Sequence, residues 1–265
     1  FDGGLTVSSA SSTLAGSIDS TNDDITFGAI TLAAATNIDT NATDTTGDII
    51  IGAVTGADNN LTLDTTASTG SADITFNGDI NLGTGVLDVT GDVVLGANVT
   101  LTTTKSSGNG IIIRDAINAD SASSNDRTLT LNSGTGSAIF ALGNIGASEA
   151  LAGLTVTQSA GVSFSGSVDV SDSNSGTITL TDTTDGANIT FSGAVTADTF
   201  TTAAQGYNII LNGDATFANA VTFQNTGTLD LGNATSDTLT FNGGVTESTS
   251  GTVTIDGAIV SSDDA

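Results

Sequence analysis

The chain has no cysteine, histidine, proline, tryptophan or methionine, a single tyrosine, and three basic residues against 29 acidic ones. Each absence narrows what it can do. Without Cys or His there is no thiol or imidazole for nucleophilic catalysis, no Ser/His/Asp arrangement and no zinc site of ordinary type. Thiol redox chemistry and disulfides go with them, although an extended fold with a long core does not need such staples, so secretion stays open. A formal charge of -26 repels phosphate backbones and anionic headgroups, so nucleic acid and membrane surfaces are not expected partners and cations are the natural counterpart. No run approaches the ~20 apolar residues that span a bilayer. The start, FDGGLTV, has no charged region followed by an apolar block, and the missing initiator Met suggests a processed chain or an excised segment.

Helix-favouring residues are scarce outside Ala and Leu, and Thr, Ser, Val, Ile, Asn, Asp and Gly fill their place. Disorder is the first reading for such an acidic, Ser/Thr/Gly-rich chain. It fails because 37% of the residues are hydrophobic and they are patterned. In DITFNGDINLGTGVLDVTGDVVLGANVTL (73–101), apolar-polar-apolar triplets begin at Ile74, Ile80, Leu87, Val93 and Val99, so a new one starts every six or seven positions. Within each triplet the apolar residues are i and i+2, on one face of a strand. The links NGD, GTG, TGD and GAN contain residues that tolerate positive φ or bond their own backbone, so each can turn the chain within two or three positions.

Antiparallel hairpins of three-residue strands would make a sheet too narrow to cover a core. If every corner turns the same way, three strands close a triangular coil and the next coil stacks on it in parallel, ~4.8 Å away. The spacing therefore predicts an all-β, right-handed parallel β-solenoid with rungs of about 19 to 22 residues, about 13 rungs and a rod of about 60 Å. Residues 1–265 read as one elongated domain. Related triplets recur throughout, and ITFNGDI (74–80), VSFSGSV (162–168), ITFSGAV (189–195) and LTFNGGV (239–245) form a longer echo. Eight of the ten Phe residues fall in or beside such triplets, where stacking within the core is their expected role. Spacing loosens at 37–50, 103–113 and 118–131, insertions that belong at corners, where binding specificity would sit.

The sequence resembles the repeat regions of giant bacterial surface proteins of the filamentous-haemagglutinin and autotransporter-passenger type. NDRTLTLNSGTGSAIFALGNIGASEALAGLTVTQ (125–158), the Phe-Gly echoes and AAQGYNIILNG (203–213) carry the likeness. It implies a secreted, β-helical, cell-surface role and transfers no catalytic residue. The chain is far shorter than such proteins usually are, and it includes no secretion domain or membrane-anchoring barrel.

Some β-helices cleave acidic polysaccharides with clustered carboxylates, and Asp23-Asp24, Asp169/Asp172, Asp182/Asp185 and Asp263-Asp264 could be nominated. With 27 Asp residues such pairs arise by chance, and only Tyr207 could serve as a sugar platform, so no enzyme is expected and no cofactor is called for. Calcium suits Asp-rich corners, but neither the nonapeptide calcium repeat nor an EF-hand loop occurs, which leaves weak, diffuse binding of Ca2+ or another cation. Sequons stand at Asn41, Asn60, Asn98, Asn188 and Asn233.

Solenoids normally shield their end rungs, because an uncovered rung exposes an apolar column and unpaired strand groups. Here Leu5 and Val7 enter the pattern almost at once, and Val253, Ile255, Ile259 and Val260 continue it to the polar tail SSDDA. Two expectations follow: identical subunits pair end to end as a head-to-tail homopolymer, or the chain is part of a longer adhesin that binds host or matrix ligands through its corner loops. Lys105, Arg114 and Arg127 would concentrate attraction for acidic surface, either contacting a neighbouring subunit or pairing with Asp115, Asp120 or Asp126. Extracellular or cell-surface localisation is expected in either case.

Overall fold

The computed structural model describes residues 3–40, 47–66, 72–121, 127–172, 175–248 and 250–261. All the pairings between its strands are parallel, and no α-helix occurs among the described residues. Tracing the pairings resolves the strands into three faces that the chain visits in strict rotation.

The first face begins with Leu5–Val7, the second with Ser12–Leu14, and the third with Gly16–Asp19. The second and third faces are initially joined, since Ser12–Asp19 and Ile30–Asp39 each run through both, bending where the register shifts after Leu14. From Leu5 the chain returns to the first face eleven times, through Ile25, Ile49, Ile74, Val93, Ile117, Ile145, Val168, Val195, Ala215 and Leu239 to Ile259. The protein is thus a parallel β-solenoid with three strands per turn. At ~4.8 Å per coil the rod is about 53 Å long.

The shortest of those steps runs from Ile74 to Val93 and the longest from Ile117 to Ile145. Most exceed the expected rung, so there are fewer turns than the thirteen expected. Three of the long steps contain the loosened segments, from Ile25 to Ile49, from Val93 to Ile117 and from Ile117 to Ile145, whereas the step from Val168 to Val195 is long without one. Extra residues leave the ladder at the corners, as coil insertions should, and the parallel pairing resumes beyond them.

Stretch 73–101 behaves as its spacing predicts, with Ile74, Ile80, Leu87, Val93 and Val99 lying on the first, second, third, first and second faces. One detail differs. Ile80 lies under Leu101 rather than Val99, a two-residue slip that keeps both side chains inward because strand side chains alternate with period two.

The inward residues form one apolar column from Leu14 to Phe241. Eight phenylalanines are buried in it; Phe164 stacks on Phe191 with centroids 4.8 Å apart, and Phe200, Phe217, Phe223 and Phe241 continue the aromatic run. Burying an aromatic or aliphatic side chain of this size contributes roughly 1.5–3 kcal/mol, and each coil adds several. Phe140 points outward and is only half-buried.

The glycines of the Phe-Gly echo have a reason beyond turning. A Cβ on Gly166 would lie 2.5 Å from the Gly143 carbonyl oxygen, one on Gly193 would lie 2.7 Å from Gly166, and one on Gly213 would lie 3.0 Å from Gly193. None of these has positive φ. They stack at the corner entering the first face because coil-to-coil approach leaves no room for a side chain. Gly83 and Gly91, by contrast, turn the chain with φ of 58° and 125°.

Candidate functional site: the end coils and the acidic corners

The last coil is built by Val245–Glu247, Thr252–Ile255 and Ala258–Val260, one strand on each face. Each pairs with the strand beneath, and the described residues place no strand on its other edge. Val253 is 40% exposed, Ile255 54%, Ile259 37% and Val260 41%, whereas Leu229, Leu231 and Leu239, one coil down, are buried. Ile255 and Leu231 occupy equivalent inward positions, so the missing neighbour alone separates them. At the opposite end Leu5, Val7 and Ile18 are half-buried against the core. The expected interface residues therefore divide into two clusters, Leu5 and Val7 at one end and Val253, Ile255, Ile259 and Val260 at the other.

The three bases join neither cluster. Lys105, Arg114 and Arg127 lie on middle coils, between strands that start at Val99 and Thr128, so an end-on contact does not include them. Arg127 forks onto Asp120, with Nε 3.0 Å from Oδ1, which is one of the expected pairings, and this bond raises the pKa of the guanidinium. Arg114 pairs instead with Asp88, 2.8 Å away on the coil below. Asp115 has another use, accepting the Gly91 N–H at 2.8 Å. Asp126 lies outside the described residues. Among the described residues Lys105 makes no ion pair.

The acidic residues sit mostly at corners, and their carboxylates are used in one recurring way. Asp24 accepts the N–H of Asp48 at 3.0 Å, Asp48 that of Asp73 at 2.9 Å, Asp92 that of Ala116 at 3.0 Å and Asp214 that of Thr238 at 2.8 Å. At the corner entering the second face, Asp79 holds Thr100 at 2.7 Å and Asn98 holds Thr128 at 3.0 Å. At the corner entering the third face, Asn60 holds Val86 at 2.9 Å and Asn208 holds Thr228 at 2.7 Å. Each bond ties one coil to the next where the strand ladder ends. A one-methylene side chain spans that gap; Glu and Gln, one methylene longer, do not match it. The geometry favours Asp and Asn at these corners, in a chain with 27 Asp and 21 Asn against two Glu and three Gln.

The nominated carboxylate pairs are likewise engaged: Asp23 with the Gly3 N–H, Asp169 with Ser171, and Asp182 with Gln158. Asp263 and Asp264 lie outside the described residues. No group of three carboxylates able to hold a metal occurs among the described residues. Asp73, packed between Asp48 and Asp92 along this corner, has its carboxyl pKa raised, first by burial and then by those two neighbours. Two sequon residues, Asn60 and Asn98, spend their side-chain oxygens on the clasps already described, and Asn41 lies outside the described residues.

Pattern alone gives no hint of Tyr207's place, which is fully buried; its hydroxyl donates to the Leu180 carbonyl at 2.9 Å and accepts the Ala203 N–H at 2.9 Å. Burial pushes its pKa up to about 12. It braces the corner between the second and third faces beside the direct bond from the Ala203 N–H to the Leu180 carbonyl at 3.0 Å, and is therefore structural.

Fold and corners together define the class as a parallel β-solenoid. Compared with protein-family models, curated proteins and solved structures, the chain has no match.

Proposed function

We propose that the protein is an extracellular structural subunit whose solenoids join head to tail, the first coil of one copy covering the last coil of the next, to form a surface filament. The observation that carries this reading is the exposure of Val253, Ile255, Ile259 and Val260 on a coil that presents one unpaired parallel edge on each of three faces. Leu5 opens the same first face that Ile259 closes, so a second copy placed in line continues every sheet. Such a contact is heterologous and does not close, which generates a fibre. A net charge of -26 keeps the sides of neighbouring rods apart over the ~8 Å that physiological salt leaves unscreened. The subunit acts by geometry, with no catalytic group and no cofactor, and binds Ca2+ or other cations weakly and diffusely at its acidic corners.

A second reading, a segment of a giant haemagglutinin-like adhesin, draws on the same exposed coil, which further coils of a longer chain would cover equally well. In that case the corner segment 103–127, which carries all three bases, contacts a host or matrix ligand. Negative-stain microscopy of the purified chain separates the two. Fibres one solenoid wide are expected; dispersed short rods at high concentration would overturn the filament and favour the adhesin.

A further inference from the structure

The outward positions of the second face differ from those of the other two. Thr100, Thr130, Thr155, Thr179, Thr201, Thr222 and Thr246 stand directly above one another on seven successive coils. Beside them, two residues back along the strand, Thr128, Thr177 and Thr199 begin a second column, broken by Gly153. Nearer the first coil Thr13, Thr31 and Thr55 are likewise in register. No charged side chain occupies an outward position in these strands, although the protein carries 29 acids. The third face places Asp88 and Asp230 outward, and the first face Asp169.

The array is periodic in two directions: about 4.8 Å from coil to coil and about 6.6 Å between columns along a strand. Threonine is stiff at χ1, so its hydroxyl and methyl repeat with the backbone instead of sampling rotamers. A protein partner reads contour and pockets and has no need of such a lattice, and a sugar platform would use aromatic rings, which these outward positions lack. A repeating array of hydroxyl donors and acceptors with methyl groups between them, free of charges that would reorganise hydration, matches a solid in which water oxygens themselves repeat. The coil spacing is close to the basal-plane repeat of hexagonal ice.

We propose that the second face is an ice-binding surface, on which the threonine columns hold water in the positions of an ice lattice plane. This does not depend on how the ends associate, and in a filament the columns of successive copies would extend one another.

The test uses the full chain in ice-recrystallisation and freezing-hysteresis assays. Thr155→Lys/Thr179→Lys disrupts the second face, and Thr62→Lys/Thr190→Lys makes the same change in charge on the third. Thr155→Tyr/Thr179→Tyr keeps strand propensity and charge while breaking the lattice. Wild type and the third-face variant are expected to inhibit recrystallisation equally, whereas both second-face variants need a concentration about tenfold higher with an unchanged circular dichroism spectrum. A wild-type chain without effect on ice would overturn the proposal, as would equal loss in the third-face variant. Side-by-side pairing of rods in sedimentation, abolished only by the second-face variants, would assign the face to a second copy instead.

Discussion

The Oδ1 atom of Asp48 accepts the backbone N–H of Asp73 at 2.9 Å, across 25 residues of sequence and one coil of the solenoid. The same relationship recurs at all three corners, and it makes the length of the acidic side chain a stability determinant.

Lengthening that side chain is therefore expected to cost stability. Asp214→Glu should lose the bond to the Thr238 N–H and destabilise by about 0.5–1.5 kcal/mol, while Asp214→Asn keeps the acceptor and stays near wild type. Urea denaturation of both variants checks the ordering, and the reverse order, with Asp214→Glu near wild type and Asp214→Asn destabilised, would show that charge rather than reach is what matters.

Asp73 is the exception within the ladder. Its folded pKa is raised above the ordinary value of 3.8 by burial and then by Asp48 and Asp92. In the window above 3.8 the folded state holds a proton that the unfolded state has released, so stability falls as pH rises through the folded pKa. Asp73→Asn should raise the melting temperature at pH 7, and the difference should vanish at pH values below the unfolded pKa. Thermal melts across pH measure it, and an unchanged melting temperature at pH 7 would contradict the assignment.

The stacked glycines admit no side chain. In Gly193→Ala the new methyl would sit 2.7 Å from the Gly166 backbone, and overpacking of this kind costs about 1–3 kcal/mol. Gly186, whose Cβ position is open, provides a comparison: its φ of 75° makes alanine there a conformational cost without a clash. A Gly193→Ala variant as stable as wild type would show that the coils can separate locally.

Removing the Tyr207 hydroxyl withdraws a donor from the Leu180 carbonyl and an acceptor from the Ala203 N–H, which still bond each other directly at 3.0 Å. Tyr207→Phe is expected to destabilise by about 0.5–1.5 kcal/mol, read by the urea midpoint at constant slope.

Much of this architecture is visible in the residues alone. The i, i+2 triplets at Ile74, Ile80, Leu87, Val93 and Val99 name their faces correctly because strand period and corner length are both local properties. What escapes is everything set by the coil above or below. Leu101 over Ile80, Arg114 on Asp88 and the aspartate clasps all join residues a full coil apart in sequence, and corner insertions vary that offset from turn to turn. A turn count taken from the tightest stretch comes out too high for the same reason. Glycine shows the boundary clearly: Gly91 turns the chain, as its local context suggests, whereas Gly193 is demanded by Gly166, one coil earlier. Of the candidate site, the apolar end residues are legible as pattern without cover; the three bases are not, because their position along the rod depends on counting coils.

The chain contains no cysteine, so an introduced pair reports on the end-to-end joint without background. Thr6 and Val260 are outward positions on the opposite ends of the first face, and in-line stacking brings their Cα atoms to about 4.8 Å, within the range a disulfide spans. Under mild oxidation, Thr6→Cys/Val260→Cys is expected to give a ladder of covalent oligomers on non-reducing gels, with each single variant remaining monomeric. A double variant that stays monomeric at concentrations where wild type is assembled, or single variants that dimerise equally well, would contradict head-to-tail stacking.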